Sequence, residues 1–211
     1  FWPLAIVLKL FGVKFIFDEH DLAPEAFLSR FEKEEKDGGM LYRVQLLFEK
    51  LSYRFADATF STNQTYRTKA IARYPGVEKK SFVVRNGPDT RIFYPRPADP
   101  ALKKGRQFLA AFIGVMAIQD GVEYILQATD VLVHEMHFTD FIVYLIGKGD
   151  DWDRLKVMTV EKGLQEHVVF TGRIGDPEAL AILSTADVCL SPDPQNPLND
   201  SSTMTKVMEY M

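Results

Sequence analysis

The residues of this chain most suited to chemistry stand close to its end. In residues 191–211, SPDPQNPLNDSSTMTKVMEYM, three prolines and several Asn and Asp positions break regular structure before a helical period sets in. Asp200, Ser201 or Ser202 can each cap that helix through side-chain oxygens that accept from its free N–H groups. Met204, Val207, Met208 and Met211 fall at i, i+3, i+4, i+7 and mark its buried side, while Ser202, Lys206 and Glu209 share the opposite one. A loop leaving a strand and entering a helix N-terminus is a natural phosphate site; Lys206 adds a full charge and Glu209 can accept from sugar hydroxyls. The plainer reading is a capped helix with an exposed Lys–Glu pair, and this stretch alone favours it.

A second candidate is His20, flanked by Glu19 and Asp21 at the end of an apolar run. Imidazole there can donate to a sugar hydroxyl or move a proton near neutral pH. A partly buried histidine bonded to a neighbouring carboxylate carries equal weight. Other chemistries lack their markers. Gly147-Lys148-Gly149 sits where a dinucleotide fingerprint would, but Trp152 takes the place of the third glycine, so nicotinamide and flavin are not expected. His134 and His137 flank Glu135 without the zinc spacing, and Asp150, Asp151 and Asp153 read as the acidic first turn of a helix. Neither G-x-S-x-G nor G-x-x-x-x-G-K-S/T occurs, which removes the usual signs of acyl hydrolysis and ATP-driven phosphoryl transfer.

The elements that must position these groups alternate. Residues 4–10 suit a short helix and residues 13–17 a buried strand that ends at Asp18-Glu19-His20-Asp21, where open α/β sheets place ligands. Residues 22–39 weaken into a polar loop over that cluster, and Leu41, Val44, Leu47, Phe48, Leu51 and Phe55 mark a long amphipathic helix. Strands are expected at 58–61 and 82–84 around a helix at 63–73, then at 108–113, 141–146, 168–170 and 188–190 with helices at 122–129, 152–162 and 177–184. Residues 91–106, with three prolines and no apolar period, read as a linker. The expectation is two α/β domains of parallel βαβ units facing across a cleft.

With 211 residues and 46% hydrophobic content, the chain can bury a sizeable core. Its single cysteine, Cys189, excludes a disulfide framework and reads as a small core residue in a reducing compartment. The net charge of −4 hides a gradient. Residues 67–106 carry 11 basic and 3 acidic groups, and residues 107–211 carry 6 and 16. A basic middle suits an anionic membrane or a phosphate-bearing partner as well as it suits a solvated surface; without spaced aromatics, nucleic acid is not expected. Residues 1–11 are apolar but too short and too charged at Lys9 to span a bilayer. A start at FWPLAIV and a helix stopping mid-pattern at Met211 read as a fragment cut at both ends.

Several blocks together resemble a family. NGPDTRIFYP at 86–95, FIGVMAIQDGVEYILQA at 112–128, VYLIGKGDD at 143–151, VVFTGRIGDPEALAILSTADVCLSP at 168–192 and STMTKVMEYM at 202–211 are similar, in order, to blocks of GT-B glycosyltransferases of family 4. FDEHDLAPE at 17–25 resembles a first-domain block of members that build bacterial surface polysaccharides. The resemblance implies two Rossmann-like domains, both incomplete, with an acceptor-binding domain at 1–93, a linker at 94–106 and a nucleotide-sugar domain at 107–211. It implies retaining sugar transfer from a nucleotide-diphosphate sugar, with no tightly bound cofactor or metal, to a lipid-linked or polysaccharide acceptor. A cytoplasmic enzyme, peripheral at an anionic inner-membrane face, is the corresponding expectation.

The resemblance also assigns residues. His20 matches the histidine that approaches the transferred sugar, and Glu209 the second glutamate of a Glu-x7-Glu signature that binds ribose hydroxyls. Gly114, Gly147, Arg173 and Ile174 lie at strand ends around the donor, with Asp200, Ser201, Ser202 and Thr203 completing the pocket. The chain departs from the pattern where Ser201 replaces the first glutamate, with Asp200 one place off, and where Val115 and Asp120 stand for the usual Arg and Lys. Lys206 is then the cation left for the leaving diphosphate. Rival readings are a non-catalytic nucleotide-sugar-binding or assembly subunit, and another GT-B reaction such as sugar-nucleotide epimerisation.

Overall fold

The computed structural model describes residues 2–31 and 38–211. They form two compact units: Phe1–Asn86 with Gln195–Thr203, and Gly87–Pro194 with Met204–Met211. The part of the expected polar loop at 32–37 lies outside the described residues.

The first unit runs α1 (Trp2–Lys9), β1 (Ile16–Glu19), α2 (Ala23–Arg30), α3 (Gly39–Phe55), β2 (Ala58–Ser61), α4 (Gln64–Arg73) and β3 (Ser81–Val83). Its sheet is parallel in the order β1-β2-β3, with Ile16 opposite Ala58 and Thr59 opposite Ser81. β1 begins later than its apolar run because Asp57 intervenes: its carboxylate accepts the Phe15 N–H at 2.8 Å, and its own N–H goes to the Phe15 carbonyl at 2.7 Å. A helix, α2, replaces the first part of the expected loop. Pro24 sits in its opening turn, where a missing N–H costs nothing, and Leu22 and Leu28 are buried. Asn63 caps α4 by accepting the Tyr66 N–H at 2.8 Å. Tyr53, Ala70 and Val77 form the core, with the Phe17 ring edge-on to Tyr53.

The second unit comprises β4 (Phe108–Ile113), α5 (Val122–Asp130), β5 (Phe141–Ile146), α6 (Trp152–Glu161), β6 (Val168–Gly172), α7 (Asp176–Thr185), β7 (Val188–Cys189) and the short α8 (Thr205–Glu209). Its parallel sheet has the order β6-β5-β4-β7. All six residues of β5 are buried, as expected for a central strand covered on both faces. Alternate residues serve two cores: Leu109, Ala111, Ile142, Tyr144 and Ile146 meet α7, and Phe112, Val143 and Leu145 meet α5 and α6. Each Leu, Ile, Val or Phe among them contributes roughly 1.5–3 kcal/mol by leaving water.

The expected linker is in part structured. Asp99 caps a 3-10 turn at Pro100–Lys103, the Arg96 and Asp99 N–H groups donate to Ser184 and Thr185 at 2.9 Å, and Tyr144 donates to the Leu102 carbonyl. These bonds attach residues 96–103 to α7 and β5 of the second unit. Conversely, residues 195–203 pack with the first unit, although the expected second domain included them.

Candidate functional site

In the first unit, strand alternation buries Glu19 and leaves Asp18 and His20 exposed at the carboxyl end of β1. The His20 ring is held at both nitrogens, with Nε2 3.0 Å from an Asp18 oxygen and Nδ1 3.1 Å from the Asn86 amide. Asp18 and Asn86 therefore orient the imidazole. Asp18 is two residues away on the same strand face, a signal readable from strand period; the Asn86 contact spans 66 residues and is not. Beneath them lies a cluster of buried charge. Tyr53 donates to Glu19, Arg73 pairs with Glu25 and with Glu49 at 3.1 Å, and Tyr74 donates to Glu49 at 2.7 Å. Burial pushes the Glu19 carboxyl up to about 8, opposed by the Tyr53 hydrogen bond. Burial likewise raises the Glu49 carboxyl, against Tyr74 and Arg73.

Four of the candidate donor residues belong to this unit. Ser201 donates its hydroxyl to the Pro197 carbonyl and Ser202 to Leu198, both at 2.8 Å. Asn63 donates to the Ser201 carbonyl at 3.0 Å, and the Ser202 hydroxyl lies 2.8 Å from that of Tyr66. Asp200, Ser201 and Ser202 thus do not cap α8, contrary to the sequence expectation. They form or follow a separate 3-10 turn at Asn199–Ser201, while α8 starts after Met204 with no side-chain cap. Thr203 closes the segment, exposed.

In the second unit the strand ends converge. The Gly114 N–H donates to the Ile146 carbonyl at 3.0 Å and the Gly147 N–H to the Gly172 carbonyl at 2.9 Å, so β4, β5 and β6 end side by side. Gly147 has φ of +123°, and a Cβ there would lie 2.0 Å from the Gly114 carbonyl oxygen. Only glycine allows this approach of two loops. Arg173 follows Gly172 and is exposed, whereas Ile174 packs against the β4–β5–α7 core.

Lys206 and Glu209 join this edge on α8. Lys206 is not on a solvated face: its side chain is 11% exposed, it pairs with the equally buried Asp193 at 2.8 Å, and its Nζ stands 5.0 Å from the Phe112 ring centroid. Glu209 is half-buried, and burial, followed by the nearby Asp176, raises its pKa. On the expected apolar side of α8, Met204 and Met208 are half-buried and Val207 is exposed. Tyr210 holds the helix, donating to the Leu190 carbonyl at 2.9 Å and accepting the Ile113 N–H at 3.2 Å.

Asp120, where the resemblance expects a cation, turns back to accept the Ala117 N–H at 3.2 Å. Burial raises its pKa, Lys206 and that hydrogen bond lower it, and Asp193 raises it. Asp193 and Tyr210 join this edge without being singled out by the sequence. Asp193 lies in a proline-broken loop, and only the thirteen-residue closure onto Lys206 reveals it. Among the described residues no group of three or more His, Cys, Asp or Glu side chains is placed to hold a metal ion.

Residues 107–211 match the family model described as glycosyl transferases group 1. The alpha-maltose-1-phosphate synthase of Mycolicibacterium smegmatis is 28% identical over 127 residues, which cover 56% of this chain and 32% of that protein. Sucrose-phosphate synthase from Thermosynechococcus elongatus superposes with a TM-score of 0.70 at 18% identity, over 94% of this chain and 50% of the other. Anabaena HepE, solved in complex with UDP, gives 0.68 at 19% identity, over 93% and 51%. The chain thus spans about a third of the curated relative and half of each solved neighbour. Residues 107–211 are thus similar to the group 1 glycosyl transferases, and the chain has the parallel-sheet α/β fold of its GT-B structural neighbours.

Proposed function

We propose that the complete protein transfers a sugar from a nucleoside-diphosphate sugar, with retention at the anomeric carbon, to a lipid-linked or polysaccharide acceptor of the cell surface. The observation that carries this reading is Lys206, a largely buried ammonium at the same edge as the close-packed Gly114 and Gly147 loops. A departing diphosphate develops negative charge, and a fixed cation in a water-poor site stabilises it more than the ground state. Glu209, half-buried on the same helix, accepts the ribose hydroxyls, and the backbone at Arg173 and Ile174 borders the base. UDP, held by the Anabaena neighbour, is the first nucleotide to test. In the first unit, His20, oriented by Asp18 and Asn86, is the candidate for a contact with a sugar hydroxyl.

The test is transfer by the full-length protein across UDP-, GDP- and ADP-sugars, with the product anomer read by NMR. Lys206→Ala is expected to lower kcat about 100-fold with little change in nucleotide Kd, and Glu209→Ala the reverse. One observation favours a binding subunit instead: Ser201, in the place of a glutamate, spends its hydroxyl on the Pro197 carbonyl. Nucleotide binding without transfer or donor hydrolysis across the panel would establish that rival. On the acceptor side, peripheral contact with an anionic membrane is proposed on the exposed Leu10 and Phe11 beside Lys14. No helix among the described residues is long and apolar enough to cross a membrane.

A further inference from the structure

Lys206 does not stand alone. Asp193 accepts its Nζ through Oδ1 at 2.8 Å, while Asp193 Oδ2 accepts the hydroxyl of Ser191. Lysine and aspartate are each 11% exposed, and the ammonium lies over the face of the fully buried Phe112. Such a pair is poorly explained by stability. Removing two charges from water costs several kcal/mol per ion, and apolar side chains of equal volume often hold a core as well or better. It is well explained by position. A lysine has a flexible four-carbon stem, and an unpinned ammonium would have to be ordered at the moment of reaction.

We propose that Asp193 is a positioning residue for Lys206, fixing its ammonium at the end of β4 for the diphosphate of a nucleoside-diphosphate sugar. The inference rests on reading the second unit as the donor site. The ammonium has three donors. Asp193 takes one, and the other two have no acceptor among the described residues, so they are free to meet phosphate oxygens. Ser191 holds the second Asp193 oxygen and so fixes the carboxylate itself. The result is a chain of contacts, from Ser191 to Asp193 to Lys206, that spans the end of β7, the proline-broken loop and α8. It supplies a prepared cation where Val115 and Asp120 provide none, and preparation before the reaction is what makes such a charge effective.

Three variants of the full-length protein test this: Asp193→Asn, Lys206→Met and the two combined. Each is measured for thermal midpoint, for UDP, GDP and ADP affinity by calorimetry, and for donor turnover. Asp193→Asn is expected to lower kcat about 10- to 100-fold while the donor KM moves less than about threefold, because the lost contact matters mostly in the transition state. It also lowers the thermal midpoint by leaving a buried ammonium unpaired. The double variant removes both charges and recovers the midpoint, but its kcat stays at the level of Lys206→Met, since the two residues act as one unit. Recovery of kcat along with the midpoint would make the pair purely structural and overturn the proposal. So would wild-type kcat in Asp193→Asn, which leaves the donor-site reading standing. Failure of the wild type to bind any of the three nucleotides removes the donor site itself, and the proposal with it.

Discussion

Glu19 sits beside exposed His20 in sequence but in different surroundings. It lies between Asp18 and His20, yet strand alternation turns it inward onto Tyr53, and burial raises its carboxyl from 4.5 to about 8. As pH rises past 4.5 the unfolded chain releases this proton while the folded chain keeps it, so stability falls until about pH 8 and is then level. A tenfold difference in proton affinity between the two states corresponds to about 1.4 kcal/mol, which sets the decline at a few kcal/mol. Glu19→Gln keeps the hydrogen-bonding shape and has no proton to lose. Chemical denaturation at pH 5 and pH 8 is therefore expected to show a smaller stability gap in Glu19→Gln than in the wild type, and an equal gap would remove Glu19 as the source. His20 is legible from its place at a strand end. The partners that orient it are half legible, because Asp18 follows from local period and Asn86 only from the sheet.

The same divide runs through the elements. β2, β4 and β5 appear at the residues expected, since apolar runs that meet glycine or polar residues at both ends have one way to be buried. α2 is hidden because its N-terminal proline reads as a breaker unless its place in the first turn is known. α8 misleads in the opposite sense: its methionines have a helical period, but Tyr210 and Lys206 make the contacts that place it. Asn63 shows that a cap can do two jobs. Its oxygen accepts the Tyr66 N–H, and its amide donates to the Ser201 carbonyl, tying α4 to residues 195–203 within the first unit. Loss of a cap costs about 1 kcal/mol and an unpaired buried carbonyl about 1–3 kcal/mol. Asn63→Ala is expected to lose about 2–4 kcal/mol in denaturant unfolding, and Asn63→Ser, which keeps a capping oxygen, about half of that. Equal losses in both variants would show that the Ser201 bond alone matters.

At the scale of the molecule, the basic stretch of the chain is shared between two compact units. The basic residues of 67–106 divide between the two units, so the first has 14 basic and 12 acidic groups and the second 11 and 17. Attraction to an anionic membrane therefore has little net charge to draw on in the first unit. What that unit does offer is apolar surface: on α1 and the turn after it, Leu4, Val7, Leu10 and Phe11 are 51–81% exposed. Burying two large apolar side chains contributes roughly 3–6 kcal/mol, more than surface charges contribute once salt screens them. The mode of contact expected is thus shallow insertion with Lys14 at the headgroups, rather than electrostatic adsorption. Co-sedimentation of the full-length protein with phosphatidylglycerol-containing vesicles is expected to persist at about 0.5 M salt, where the Debye length falls below about 5 Å. The paired change Leu10→Asp and Phe11→Asp is expected to reduce it more than about tenfold while nucleotide affinity stays unchanged. Loss of binding in salt with no effect of the paired change would return the contact to charge, and equal vesicle binding by the variant would remove α1 from the acceptor side altogether.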